Sequence, residues 1–93
     1  LEEPFWAAFV QIDRMAALNR EAGPEGGDRL IADVGAFLLE GAGEAILFRW
    51  SGPVFLLVGR GDRQAAWRTA EGLRAAVEAE RRFARPITVS VAL

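Results

Sequence analysis

The sequence predicts an α+β domain with elements in the order βαββαβ. This is a split βαβ, ferredoxin-like pattern: an antiparallel sheet with its helices on one side. Three observations carry the prediction. First, two short apolar runs, residues 45–48 and 54–58, flank the turn residues Ser51, Gly52 and Pro53. Both are too short for helices, so the segment reads as a β-hairpin. Second, helical stripes stand on either side of the hairpin, one through Leu30, Ile31, Val34, Phe37 and Leu38, the other through Ala66, Ala70, Leu73 and Val77. Third, the chain opens and closes on strand-like segments.

Ninety-three residues, 52% of them hydrophobic, make one domain with one core, assigned to residues 1–93. The chain begins at Leu1 and reads as a piece of a longer protein. A net charge of −2 gives no footprint for nucleic acid or an anionic membrane. All eleven basic residues are arginine, and cysteine, histidine and lysine are absent. That excludes disulfides, thiolate metal sites, a histidine base, Schiff-base chemistry and a lysine phosphate clamp. No apolar run approaches the roughly 18 residues of a membrane span. No signal peptide is visible, so a cytoplasmic location is expected.

In chain order, Phe5–Ile12 is almost continuously apolar and reads as a central strand covered on both faces. Asp13 is expected to cap a short helix, residues 14–21, in which Met15, Leu18 and Ala22 recur at helical spacing. Ala22, Gly23 and Pro24 form a break. A second helix runs on to Gly41 and Gly43. After the hairpin, Asp62 is the expected N-cap of a long helix. Arg81, Arg82 and Arg85 are expected near its C-terminal end, where positive charge suits the dipole. Pro86 marks a boundary, and residues 87–93 alternate as a final strand. The expected spatial order is last strand, first, third, second. That order sets Gln11, Ile12 and Asp13 against Ser51, Gly52 and Pro53.

These residues resemble a known family. Gln11-Ile12-Asp13-Arg14-Met15-Ala16-Ala17-Leu18-Asn19-Arg20, followed by Gly23 and Gly27-Asp28, is similar to the opening Asp-x-Asp-x-Phe-Lys-x-x-Asn-Asp … Gly-His … Gly-Asp of the GGDEF family, the diguanylate cyclases. Arg49-Trp50-Ser51-Gly52-Pro53-Val54-Phe55 falls where that family has Arg-Tyr-Gly-Gly-Asp/Glu-Glu-Phe. Thr88-Val89-Ser90-Val91-Ala92 resembles its late strand. The likeness spans most of the chain and implies a trimmed GGDEF-like core of the palm type. The family's N-terminal Thr-Gly-Leu-x-Asn-Arg segment and its C-terminal Ala-Asp-x-Ala-Leu-Tyr helix have no counterpart here.

The resemblance implies chemistry that the residues do not support. The family joins two GTP molecules into cyclic di-GMP across two facing subunits, with two metal ions on the triphosphate. Divalent ions of this kind need hard anionic oxygens. The two metal-ligand positions match Gln11 and Pro53, a neutral amide and a side chain with no donor. Asp13 is expected to point away from Gln11 and so not to substitute for it. The family's Lys is Ala16, its first signature Gly is Ser51, and the acidic residue after the ligand is Val54. Its product-inhibition Arg and Asp match Ala42 and Ala45. No metal site and no productive Mg²⁺ binding are therefore expected.

Asn19 and Asp28 match the family's guanine-contacting pair. Two readings stand for them. Asn19 can end the first helix and Asp28 can cap the second, which weighs more, or the pair retains guanine contact. Gly26-Gly27 lacks the spacing and the Lys of a phosphate loop. Trp50 is expected to pack on its neighbours, Trp6 to sit in the core, and Trp67 to lie at a boundary or interface. The reading that follows is a catalytically inactive GGDEF-like regulatory domain of bacterial cyclic di-GMP signalling, not an enzyme. It would dimerise or bind a protein partner. The alternative is a domain that senses GTP or cyclic di-GMP without turnover, with weak guanine-nucleotide affinity. An RNA-binding module of the same architecture needs basic and aromatic residues on its central strands, and residues 54–58 offer one Phe and no charge.

Overall fold

The computed structural model describes residues 4–93. Its elements are β1 (Phe5–Ile12), α1 (Met15–Gly41), β2 (Ile46–Ser51), β3 (Val54–Arg60), α2 (Arg63–Ala79) and β4 (Val89–Ala92). The four strands form one antiparallel sheet in the order β2-β3-β1-β4. This is the expected order, read from the other edge.

The core lies between the helices and one face of the sheet. Val10 and Ile12 of β1, Phe55 and Leu57 of β3, Val34 and Leu38 of α1, and Leu73 and Val77 of α2 are all buried in one cluster. In α2, Ala66, Ala70, Leu73 and Val77 are all buried, as their spacing predicts. Asp62 caps that helix, its Oδ1 accepting from the Ala65 N–H at 2.9 Å.

Burial alternates along β1: Ala8, Val10 and Ile12 are buried, while Phe5, Ala7, Phe9 and Gln11 are exposed. This overturns the expectation of a strand covered on both faces. Both helices pack on one side of the sheet, so every second side chain of β1 faces outward.

The expected break in the first helical region is a kink. Gly23 alone leaves helical geometry, at φ 77° and ψ 170°. Pro24 then restarts the helix, at a position where the missing N–H costs nothing. Asp13 does not cap α1. Arg14 occupies that position in left-handed geometry, φ 59°, with no side-chain cap. Beyond α2, Glu80 is extended, so Arg81, Arg82 and Arg85 follow the helix and do not lie within its last turn. The Glu80 carboxylate accepts from the Arg82 backbone N–H at 3.0 Å and from the Arg82 guanidinium at 2.6 and 3.0 Å. Arg85 donates to Glu21 Oε1 at 3.1 Å. The last strand is shorter than expected, because Ile87 and Thr88 lie outside the ladder.

Candidate functional site

The candidate site lies where the end of β1 meets the hairpin tip. Gly52, with φ 53°, and Pro53 make the turn, so Arg49 to Ser51 belong to β2. Positive φ at the first central residue is what a primed hairpin turn requires, and glycine adopts it without strain. Arg49 braces the turn from inside: its Nε donates to the Gly52 carbonyl at 2.8 Å, and its guanidinium carbon lies 6.0 Å from the Phe55 ring centre. A register shift between Arg49 and Ser51 marks an irregularity at Trp50. The Trp50 ring meets Phe9 edge-on, with centres 5.5 Å apart, so it packs on a neighbour as expected.

The tip is docked on β1. The Ile12 N–H donates to the Pro53 carbonyl at 2.9 Å, and Gln11 pairs with Val54. The predicted juxtaposition of Gln11 to Asp13 with Ser51 to Pro53 is present. At its centre stand an amide, Gln11, and a proline, Pro53. Magnesium sites of this kind draw on one or two carboxylates together with substrate phosphates and water, and neither of these residues carries a carboxylate. Among the described residues, no group of three or more histidine, cysteine, aspartate or glutamate side chains is placed to hold a metal ion.

Asp13 is the nearest carboxylate in sequence, and its environment differs from expectation. Its Oδ1 accepts from the Ser90 hydroxyl at 2.6 Å and its Oδ2 from the Thr88 hydroxyl at 2.8 Å, while its N–H donates to the Thr88 carbonyl at 3.0 Å. Ser90 is the ladder partner of Gln11. Asp13 therefore sits on the same side as Gln11, as residues two apart in a strand do. It ties β4 to the end of β1, with both carboxylate oxygens engaged. The spacing of Asp13, Thr88 and Ser90 in sequence held no signal of this network; only the pairing of the first and last strands creates it.

Asn19 and Asp28 come from the two arms of the kinked α1. Asn19 lies within the first arm and Asp28 within the second, so neither caps a helix. The kink at Gly23 folds the arms together until the Asn19 carboxamide rests on the Cα of Gly27. A Cβ built at Gly27 would lie 1.8 Å from Asn19 Oδ1, so the approach requires glycine there. Asn19 thus lies beside Gly27-Asp28. Both Asn19 and Asp28 are exposed, and among the described residues neither side chain has a hydrogen-bond partner. The cleft next to the site, about 210 Å³, is lined by Asp13, Arg14, Leu18, Glu21, Arg85 and Thr88. It is smaller than the roughly 300–1,000 Å³ of most small-molecule sites.

The other two tryptophans are also placed. Trp6 is half-buried at the core margin and donates to the Arg60 carbonyl at 3.2 Å. Trp67 is exposed on α2. Among the described residues, no helix is long and apolar enough to cross a membrane.

No family model and no curated protein matches the sequence. Solved structures match it closely in shape. The GGDEF domain of PA1120 from Pseudomonas aeruginosa superposes with a TM-score of 0.87 at 19% identity, over 96% of this chain and 60% of its own. The GGDEF domain of DgcB from Caulobacter crescentus, solved in complex with c-di-GMP, gives 0.81 at 24% identity, over 94% of this chain and 56% of its own. The diguanylate cyclase SiaD from Pseudomonas aeruginosa, solved with its activator SiaC, gives 0.81 at 24% identity, over 94% of this chain and 36% of its own. The chain spans between about a third and three-fifths of the length of these three solved chains.

Proposed function

We propose that this chain, whose fold is that of GGDEF domains, is a catalytically inactive regulatory module in cyclic di-GMP-type signalling and acts through protein contact. The observation that carries the reading is the docking of the hairpin tip on the end of β1, where Gln11 pairs with Val54 and Ile12 bonds to Pro53. The backbone frame is intact there, with the Ile12–Pro53 hydrogen bond in place, while the two positions that the resemblance assigns to metal ligands carry no anionic oxygen. Phosphoryl-type transfer depends on metal ions to neutralise the phosphates and position them, so no productive Mg²⁺ binding is expected and the domain performs no cyclisation. The association of the structurally similar SiaD with an activator protein supports an interaction role. The test is incubation with GTP and Mg²⁺ followed by chromatography for cyclic di-GMP. The expected result is none, and product that disappears with a chelator would overturn the reading.

A second reading rests on a separate observation. Asn19 and Gly27-Asp28 are held together across the α1 kink, with both polar side chains open to solvent. A carboxylate can accept from the donors of a guanine edge while an amide pairs beside it. On this reading the domain binds GTP or cyclic di-GMP without turnover, as DgcB was solved with c-di-GMP. Calorimetric titration with each nucleotide decides it: binding lost in both Asn19→Ala and Asp28→Ala supports sensing, and no heat with the unmodified chain removes it.

A further inference from the structure

We propose that the bare face of the sheet is a homodimer interface, on which two copies of this chain stack sheet against sheet. The inference rests on the interaction-module reading and names its surface. Strand alternation and register place Phe5, Ala7 and Phe9 of β1, Val54, Leu56 and Val58 of β3, and Ile46 and Phe48 of β2 on the side away from the helices, with Trp50 closing over Phe9. Among the described residues, five of the eight exposed large hydrophobic side chains lie on this one face: Phe5 at 68%, Phe9 at 41%, Ile46 at 58%, Phe48 at 49% and Trp50 at 59%.

Area and charge together point to a second copy as the occupant. At about 150–250 Å² for a whole aromatic side chain, the four aromatics and Ile46 leave roughly 500 Å² of apolar surface open. The half-buried Val54, Leu56 and Val58 add to it. A large patch on an ordinary monomer measures about 300–600 Å², and a stable interface takes about 800 Å² from each partner. Two stacked sheets interdigitate about 10 Å apart and bury such a face across its width. Among the described residues, the charged side chains of this face stand at its ends: Arg60, over the Phe5 ring, and Glu44 at one, and Asp13, bonded to Ser90, at the other. Gln11 and Ser90 form the opposite end. A face whose centre carries no charge offers little there to select an oppositely charged partner, and in a two-fold dimer that centre meets itself without repulsion. Single-stranded nucleic acid also stacks on aromatic sheets, but it needs a basic groove for its phosphates, which one arginine does not make.

Sedimentation velocity of the 93-residue chain between about 1 and 100 μM is expected to show a concentration-dependent dimer. Phe48→Glu should weaken it about 30-fold or more, as loss of an interface anchor does, with unchanged circular dichroism and melting. Trp67→Glu, on the helix side, should leave it intact. If Phe48→Glu does not fold, Trp50→Ser at the rim gives the same readout. A chain that stays monomeric throughout, a Phe48→Glu or Trp50→Ser dimer as tight as the original, or a dimer broken by Trp67→Glu would each overturn the proposal. So would tryptophan quenching by oligouridylate that vanishes in Phe48→Glu. Cyclic di-GMP synthesis would remove the inactive-module reading whatever the oligomeric state. A monomer without synthesis removes only this surface.

Discussion

On the proposed reading, two residue positions decide the chemistry, and two others decide how the ends of the chain are held. The Ile12 N–H donates to the Pro53 carbonyl and Gln11 pairs with Val54, and on that reading the side chains of Gln11 and Pro53 set what the tip can bind. Restoring both carboxylates, Gln11→Asp with Pro53→Glu, is expected to yield no cyclic di-GMP, because Ala16 and Ser51 remain in place of the family's Lys and Gly. Robust product from that double variant would show that the metal positions alone matter. Asp13 holds β4 through two hydroxyl donors. Hydrogen bonds to charged groups contribute about 1.5–3 kcal/mol when sheltered and less when exposed. Asp13→Ala should therefore cost about 1–2 kcal/mol in urea unfolding, and an unchanged midpoint would show that the network is solvated away. Glu80 is drawn down from its ordinary 4.5 to about 2, chiefly by the Arg82 guanidinium and then by the Arg82 N–H. A carboxylate depressed in the folded state stabilises fully above its unfolded pKa and loses that contribution as pH falls through the folded one. Stability should thus decline between pH 4.5 and 2, and Glu80→Gln should flatten that decline. An identical acid profile in the variant would contradict the assignment.

The helices show where local sequence is decisive and where it is not. Asp62 announced α2 from its position before an apolar stripe, and the capping bond is present. Asp62→Ala should lower stability by about 1 kcal/mol, read as a shift in thermal midpoint. At α1 the same reasoning misled. Asp13 precedes a helical pattern just as Asp62 does, yet its side chain goes to β4, because two hydroxyls on a neighbouring strand outcompete one backbone N–H. The break at Gly23-Pro24 was legible, since proline disfavours helical geometry in the residue before it. The near-contact of Asn19 with Gly27 was not, because it depends on the angle between the two arms. Gly27→Ala is expected to push Asn19 aside and to open the kink, seen as changed Asn19 side-chain amide signals. Unperturbed signals would mean the arms have slack.

At the scale of the whole molecule, two layers share one core. Leu57 is fully buried at the centre of β3. Leu57→Ala should cost about 2–5 kcal/mol, a large share of the roughly 5–15 kcal/mol that holds a small domain folded. The order of the elements, the partners of each strand, the cap of α2, the break at Gly23-Pro24 and the chemical nature of the tip were determined by the sequence. They follow from turn residues, apolar spacing and side-chain donors, which are local properties. Only the tertiary structure decided which side of β1 is covered and where Asp13 spends its carboxylate. Apolar residues on consecutive positions of β1 fit a strand buried on either one face or both; the placement of α1 and α2 on a single side of the sheet leaves Phe5, Phe9, Ile46, Phe48 and Trp50 facing outward.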